Sequence, residues 1–140
     1  MNAARVCFDD QYDGEEKKPH VMIIDDEDAL CRLFEQALES QGYQVSAFTD
    51  SALALQAFNE QSDRYDLVIT DQTMPRYTGA DLVQKMLQIR PELPIVLMTG
   101  YSEVIDEAKA FQLGVKKYLR KPFDLQFVYS IVESTLNRPS

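Results

Sequence analysis

The stretch Asp66-Leu67-Val68-Ile69-Thr70-Asp71-Gln72-Thr73-Met74-Pro75 decides how the chain is read. Leu67 to Ile69 is a short apolar run, rich in β-branched side chains, of the length of a strand buried on both faces, and it runs up to a carboxylate. Asp71 is thereby placed at the carboxyl end of a strand. In an open parallel α/β sheet, ligands gather at that edge, where loops and helix N-termini converge on the strand tips. Similar runs lie on either side. Val21-Met22-Ile23-Ile24 leads into Asp25-Asp26-Glu27-Asp28, Ile95-Val96-Leu97-Met98 into Thr99-Gly100, and Lys117-Tyr118-Leu119 into Arg120-Lys121-Pro122.

Helical periodicity fills the intervals. Leu30, Leu33, Phe34, Ala37 and Leu38 recur at helical spacing before Gly42. Tyr43 to Phe48 then alternates like an edge strand. Asp50 is placed to cap a second helix with the stripe Leu53, Ala54, Ala57 and Phe58. Thr78-Gly79-Ala80-Asp81 has the spacing of a capping box, ahead of Leu82, Met86 and Ile89. Ser102 is placed to cap a fourth helix, with Val104, Ala108 and Phe111 inward and Gly114 closing it. Asp124 caps a fifth, with Val128, Ile131, Val132, Thr135 and Leu136 on one face. Five strand–helix units imply right-handed crossovers and a parallel sheet covered on both faces. The expected architecture is a flavodoxin-like (βα)5 doubly wound sandwich with strand order 2-1-3-4-5 and its switch point between strands one and three.

A chain of 140 residues, 45% hydrophobic and 26% charged, suits one domain. The formal net charge of −9 repels a phosphate backbone and argues against direct nucleic-acid binding. Cys7 and Cys31 match neither a disulfide framework nor a zinc site and read as free thiols in a reducing compartment. No apolar run reaches the length of a membrane span and no signal peptide is recognisable, so this segment reads as soluble and cytoplasmic. Residues 1–19 carry acids, lysines and little apolar periodicity, and read as a flexible tail or linker; the domain is expected over 20–137.

The order 2-1-3-4-5 brings Asp25 and Asp26 close to Asp71. Three carboxylates at one mouth repel one another unless one is protonated or a cation joins them, and oxygen ligands beside a loop suit Mg²⁺. A Ca²⁺ site or a solvated acidic rim are the alternatives, and the helix dipole favours acids after the first strand in any case. Thr99 and Lys121 occupy the neighbouring strand tips. An ammonium and a hydroxyl there complete a phosphoryl site, in which a carboxylate serves as the accepting nucleophile. His20, the single histidine, reads as an ordinary surface residue.

Asp25-Asp26, Asp71 with Met74-Pro75 and Gly79 after it, Thr99-Gly100 and Lys121-Pro122, all in order, resemble the receiver domain of two-component response regulators. The resemblance implies that Asp71 takes a phosphoryl group from a phosphohistidine on a histidine kinase or phosphotransfer domain. It also implies that Asp25, Asp26, Asp71 and the main-chain carbonyl of Thr73 hold Mg²⁺, that Thr99 and Lys121 bind the acyl phosphate, and that Tyr118 swings inward when Thr99 moves. The domain is then a signalling switch with intrinsic phosphotransfer and self-dephosphorylation chemistry rather than an enzyme. Its output runs through protein contacts, and the fourth helix, fifth strand and fifth helix are a face open to homodimerisation. Thr70 to Pro75 and Met98 to Ser102 look most like receivers at the C-terminal end of hybrid sensor kinases. Thr73 and Tyr101, two residues beyond Asp71 and Thr99, are expected to set the lifetime of the phosphate. Two other readings stay open: a flavin binder on the same topology, and a receiver fold used for protein contacts without phosphorylation.

Overall fold

The computed structural model describes residues 18–100 and 106–136. Five strands alternate with five helices: β1 (His20–Ile24), α1 (Asp28–Ser40), β2 (Gln44–Phe48), α2 (Ser51–Glu60), β3 (Leu67–Asp71), α3 (Gly79–Ile89), β4 (Ile95–Thr99), α4 (Glu107–Leu113), β5 (Lys117–Arg120) and α5 (Leu125–Leu136). A 3₁₀ turn over Ser62–Arg64 precedes β3. All strand pairs are parallel and the order is β2-β1-β3-β4-β5, as the alternation of runs predicts.

Because helices cover both faces, β1, β3 and β4 are buried at every position, while β2 on the edge is partly exposed throughout. The pleat sends successive side chains of one strand to opposite cores. Met22 and Ile24 join Val68, Leu97, Phe58, Leu82, Met86 and Ala110, whereas Val21 and Ile23 join Ile69, Val96, Phe34, Leu38, Val128 and Val132. Each such large side chain contributes about 1.5–3 kcal/mol on burial, so two cores on one sheet hold the strand tips in fixed register.

Helix starts follow local chemistry. Asp50 accepts hydrogen bonds from the amides of Ala52 and Leu53. Thr78 and Asp81 close a reciprocal capping box. Asp124 accepts from the Phe127 amide. Gly114 ends α4 at φ 109°, a left-handed conformation that suits a residue without Cβ.

Several expectations are corrected. The described part of α4 is capped by Asp106, whose carboxylate accepts the Lys109 amide, whereas Ser102 and Val104 lie outside the described residues. Leu33, Leu53, Ile89 and Phe111 are exposed, as is Ala108, and Cys31, Leu55, Val83 and Ala110 face inward instead. His20 is not on the surface: it is 5% exposed, its Nε2 lies 2.8 Å from Ser46 Oγ, and its ring meets Tyr65 edge-on. Burial, with the nearby Arg64 charge, holds its pKa below the ordinary value against the opposing pull of Asp66. Most of the tail, residues 1–17 with Cys7, is outside the described residues.

Candidate functional site

Ile24 pairs with Thr70 and Asp71 with Met98, so the residues that leave β1 and end β3 meet at one edge of the sheet. Asp25 is fully buried there. Its Oδ1 accepts the Glu27 amide at 2.9 Å and its Oδ2 accepts the Lys121 ammonium at 3.0 Å. The same Nζ lies 3.2 Å from Asp71 Oδ1. Asp26 is exposed at the rim, and one carboxylate oxygen from each of Asp25, Asp26 and Asp71 falls within 4.8 Å of the others. The strand tips thus bring together the residues that the sequence singles out.

Lys121 is placed by its own backbone, whose amide donates to the Thr99 carbonyl at 2.7 Å, and the peptide bond to Pro122 is cis. Burial disfavours its ammonium, yet the hydrogen bond and charge of Asp25, together with Asp71, outweigh that and hold its pKa above 10.5. The lysine is therefore a permanent cation at neutral pH. Three carboxylates and one ammonium leave the mouth short of two positive charges. Closely spaced oxygen donors of that charge fit a divalent cation with hard-ligand preference, and Mg²⁺ suits a site with few protein ligands and room for water.

The loop after Asp71 is pinned to the sheet and to α3. The Gln72 amide donates to the Met98 carbonyl, the Gln72 carbonyl accepts the Gly79 amide, and Gln72 Oε1 accepts the Ala80 amide, each at 2.9 Å. Gly79 permits this approach. A Cβ there would stand 2.6 Å from the Asp71 carbonyl oxygen and 2.6 Å from Leu97 Cδ1. Thr73 is exposed, and Met74 is tucked into the core beneath it.

Thr99, wholly buried, donates its hydroxyl to the Tyr118 phenol oxygen at 2.9 Å. The two expected switch residues are therefore in contact. Tyr101 lies outside the described residues, as does Ile105.

Sequence reasoning placed three residues outside this neighbourhood, reading Cys31 as a free thiol and passing over Gln72 and Ser51. Cys31 donates to the Asp25 carbonyl at 3.1 Å, and burial together with the Asp25 charge pushes its pKa up to about 11, so it is an unreactive packing thiol. Gln72 and Ser51 carry no local pattern that marks them. Their partners are 8 residues away for Gln72, and 24 and 26 residues away for Ser51, so the fold alone reveals their contacts. A depression of about 770 Å³ lies around His20, Arg64 and Asp66, and its lining includes none of these carboxylates. Charge and donor chemistry, not volume, mark the site.

Comparison with known proteins agrees with this geometry. Residues 21–133 match the family described as response regulator receiver domain. The DNA-binding transcriptional regulator NtrC of Azospirillum brasilense is 37% identical over 117 residues, which cover 84% of this chain and 24% of that protein. The transcriptional regulatory protein GlrR of Escherichia coli K12 is 30% identical over 122 residues, covering 87% of this chain and 27% of its own length. The chain thus spans about a quarter of these relatives, and neither is named as a hybrid kinase. Among solved structures, a response regulator receiver domain protein from Clostridium thermocellum superposes with a TM-score of 0.81 at 28% identity, covering 85% of this chain and 94% of that one. A putative response regulator from Chloroflexus aurantiacus gives 0.78 at 28% identity, with 87% and 100% covered.

Proposed function

The chain belongs to the response regulator receiver domain family, and from that membership we propose that Asp71 takes its phosphoryl group from a phosphohistidine on a partner histidine kinase or phosphotransfer domain. The observation that carries this reading is the Lys121 ammonium bridging Asp25 and Asp71 at a mouth where Asp26 adds a third carboxylate. The receiver domain spans residues 20–137.

Asp25, Asp26 and Asp71, with the main-chain carbonyl of Thr73, would hold Mg²⁺, which supplies charge neutralisation at the phosphoryl oxygens when bound. The remaining work falls to the chain. An Asp71 carboxylate oxygen attacks phosphorus, the bond from phosphorus to the donor imidazole nitrogen breaks, and the electron pair stays on that nitrogen. Lys121, held between two carboxylates before the reaction, has a closer anion to serve once a phosphoryl oxygen arrives. Thr99 turns its hydroxyl from Tyr118 to that oxygen. Loss of this bond at Tyr118 is the event that carries the signal to the β5 edge, and α4, β5 and α5 are the face through which partners or a second copy would read it. Thr73 and Tyr101 set how readily water reaches the acyl phosphate, and so its lifetime.

The relatives are transcriptional regulators, which supports a response regulator receiver rather than the hybrid-kinase parent that the two loop sequences suggest. No helix among the described residues is long and apolar enough to cross a membrane, which is compatible with action in the cytoplasm beside the kinase.

The test is phosphorylation by a small acyl-phosphate donor in the presence of Mg²⁺, followed by intact mass. A single phosphate adduct in wild type that is absent in Asp71→Asn and in the presence of chelator is expected. An adduct of equal yield in Asp71→Asn overturns the assignment.

A further inference from the structure

One buried hydroxyl fastens the loop after Asp71 to the start of α2. Ser51, 2% exposed, donates its Oγ hydrogen to the Pro75 carbonyl at 2.8 Å, and the same oxygen accepts the Tyr77 amide at 3.1 Å. The turn is closed by its own backbone, the Tyr77 amide donating to the Pro75 carbonyl at 3.0 Å, and the hydroxyl ties both of those groups to the start of α2. Between those groups stands Arg76 at φ 74°, a left-handed conformation that a residue with a Cβ adopts only when its surroundings hold it there. Two weaker contacts flank the latch: Arg76 Nε is 3.9 Å from Asp50, the cap of α2, and the Lys85 ammonium lies over the Tyr77 ring.

The position of this turn matters because of what precedes it. Gln72 is tied to β4 and α3, Met74 is buried in the core, and Thr78 is tied to Asp81, so Pro75, Arg76 and Tyr77 are the span between Met74 and Thr78. Ser51 grips that span at both ends. Thr73, exposed and two residues beyond Asp71, is two residues from the gripped carbonyl. Without the grip, Arg76 is left to the turn's own Tyr77-to-Pro75 hydrogen bond and the 3.9 Å Asp50 contact, so the turn can shift and carry the preceding residues with it.

We propose that Ser51 is a positioning residue for the metal site: its hydroxyl fixes the Pro75–Tyr77 turn and thereby the placement of the Thr73 carbonyl beside Asp71. This rests on the reading of that carbonyl as a Mg²⁺ ligand. Ser51 touches neither metal nor phosphate. It acts as the outer support of a ligand, a role whose loss typically weakens metal affinity by about one order of magnitude or more.

Calorimetric titration with Mg²⁺ tests this on the full chain, comparing wild type, Ser51→Ala and Leu55→Ala. Leu55 sits on the same helix and faces the core with no polar group to offer the loop, so its truncation destabilises α2 while leaving the two Ser51 hydrogen bonds in place. Ser51→Ala should bind Mg²⁺ about tenfold more weakly, while Leu55→Ala, although less stable, stays within about twofold of wild type. Two results overturn the proposal: Ser51→Ala binding like wild type, or both variants losing affinity in proportion to their loss of stability. Failure of wild type itself to bind Mg²⁺ overturns the underlying ligand reading, and is distinct from either. Should Ser51→Ala not fold, amide exchange of the wild type decides. Mg²⁺ should slow exchange at the Tyr77 amide more than in α5, and an unchanged Tyr77 amide overturns the coupling.

Discussion

The Thr99 hydroxyl donates to the Tyr118 phenol oxygen across 2.9 Å, and in the function proposed above a phosphoryl group on Asp71 draws on the same proton. A hydroxyl has one hydrogen to give. The two acceptors therefore compete, and the side chain on β5 registers the outcome. Tyr118→Phe removes one competitor, and a typical net hydrogen bond of about 1 kcal/mol corresponds to a gain of about fivefold in affinity for beryllofluoride, a mimic of the acyl phosphate. Thr99→Val should weaken it instead. Equal affinity of Tyr118→Phe and wild type in a fluoride titration would show that the phenol is not a competitor.

The fold was legible because both faces of the sheet are covered. Continuous apolar runs at Val21–Ile24 and Ile95–Met98 cannot be half-exposed strands, and an alternating run over β2 cannot be central. The rotational phase of the helices was less legible. α1 carries apolar residues at positions 29, 30, 31, 33, 34, 37 and 38, a stripe wider than the face that packs, so periodicity finds its centre but not which edge stays wet. Leu33 ended 45% exposed and Cys31 buried. The gathering of Asp25, Asp26, Asp71 and Lys121 at one edge was legible as strand-tip chemistry. Their supports were not, since Ser51 and Gln72 act through backbone groups of the β3–α3 loop, whose identity no side chain announces.

Gly79 separates packing from chemistry. Its missing Cβ leaves room for the Asp71 carbonyl oxygen, which is main chain in a central strand and cannot move aside as a side-chain tip can. Gly79→Ala should cost about 1–3 kcal/mol, the usual range for overpacking, and should also displace the phosphoacceptor. Urea melts give the first quantity and the rate of labelling by an acyl-phosphate donor gives the second. Normal labelling in a destabilised variant would mean that α3 moves and Asp71 does not.

The Lys121 ammonium stands between two carboxylates that have little access to water, the Asp25 and Asp71 side chains being 1% and 7% exposed. Removing it leaves those charges facing each other. Lys121→Met should therefore lose about 3–5 kcal/mol at pH 7, the cost of breaking a buried pair, less whatever the one-quarter exposure of the lysine returns through solvent. Mg²⁺ should narrow that gap by supplying the missing charge. The pH dependence has a definite sign. Because the folded-state pKa is raised above 10.5, the lysine's contribution is fully present below that value and is lost as pH climbs through the raised one. The difference in stability between wild type and Lys121→Met should thus be level across neutral pH and shrink only at strongly alkaline pH, a comparison in which the ionisation of tyrosines common to both chains cancels. Urea melts of the pair over that range check it, and a gap that closes already near neutrality would mean that the ammonium is not what holds Asp25 and Asp71 together.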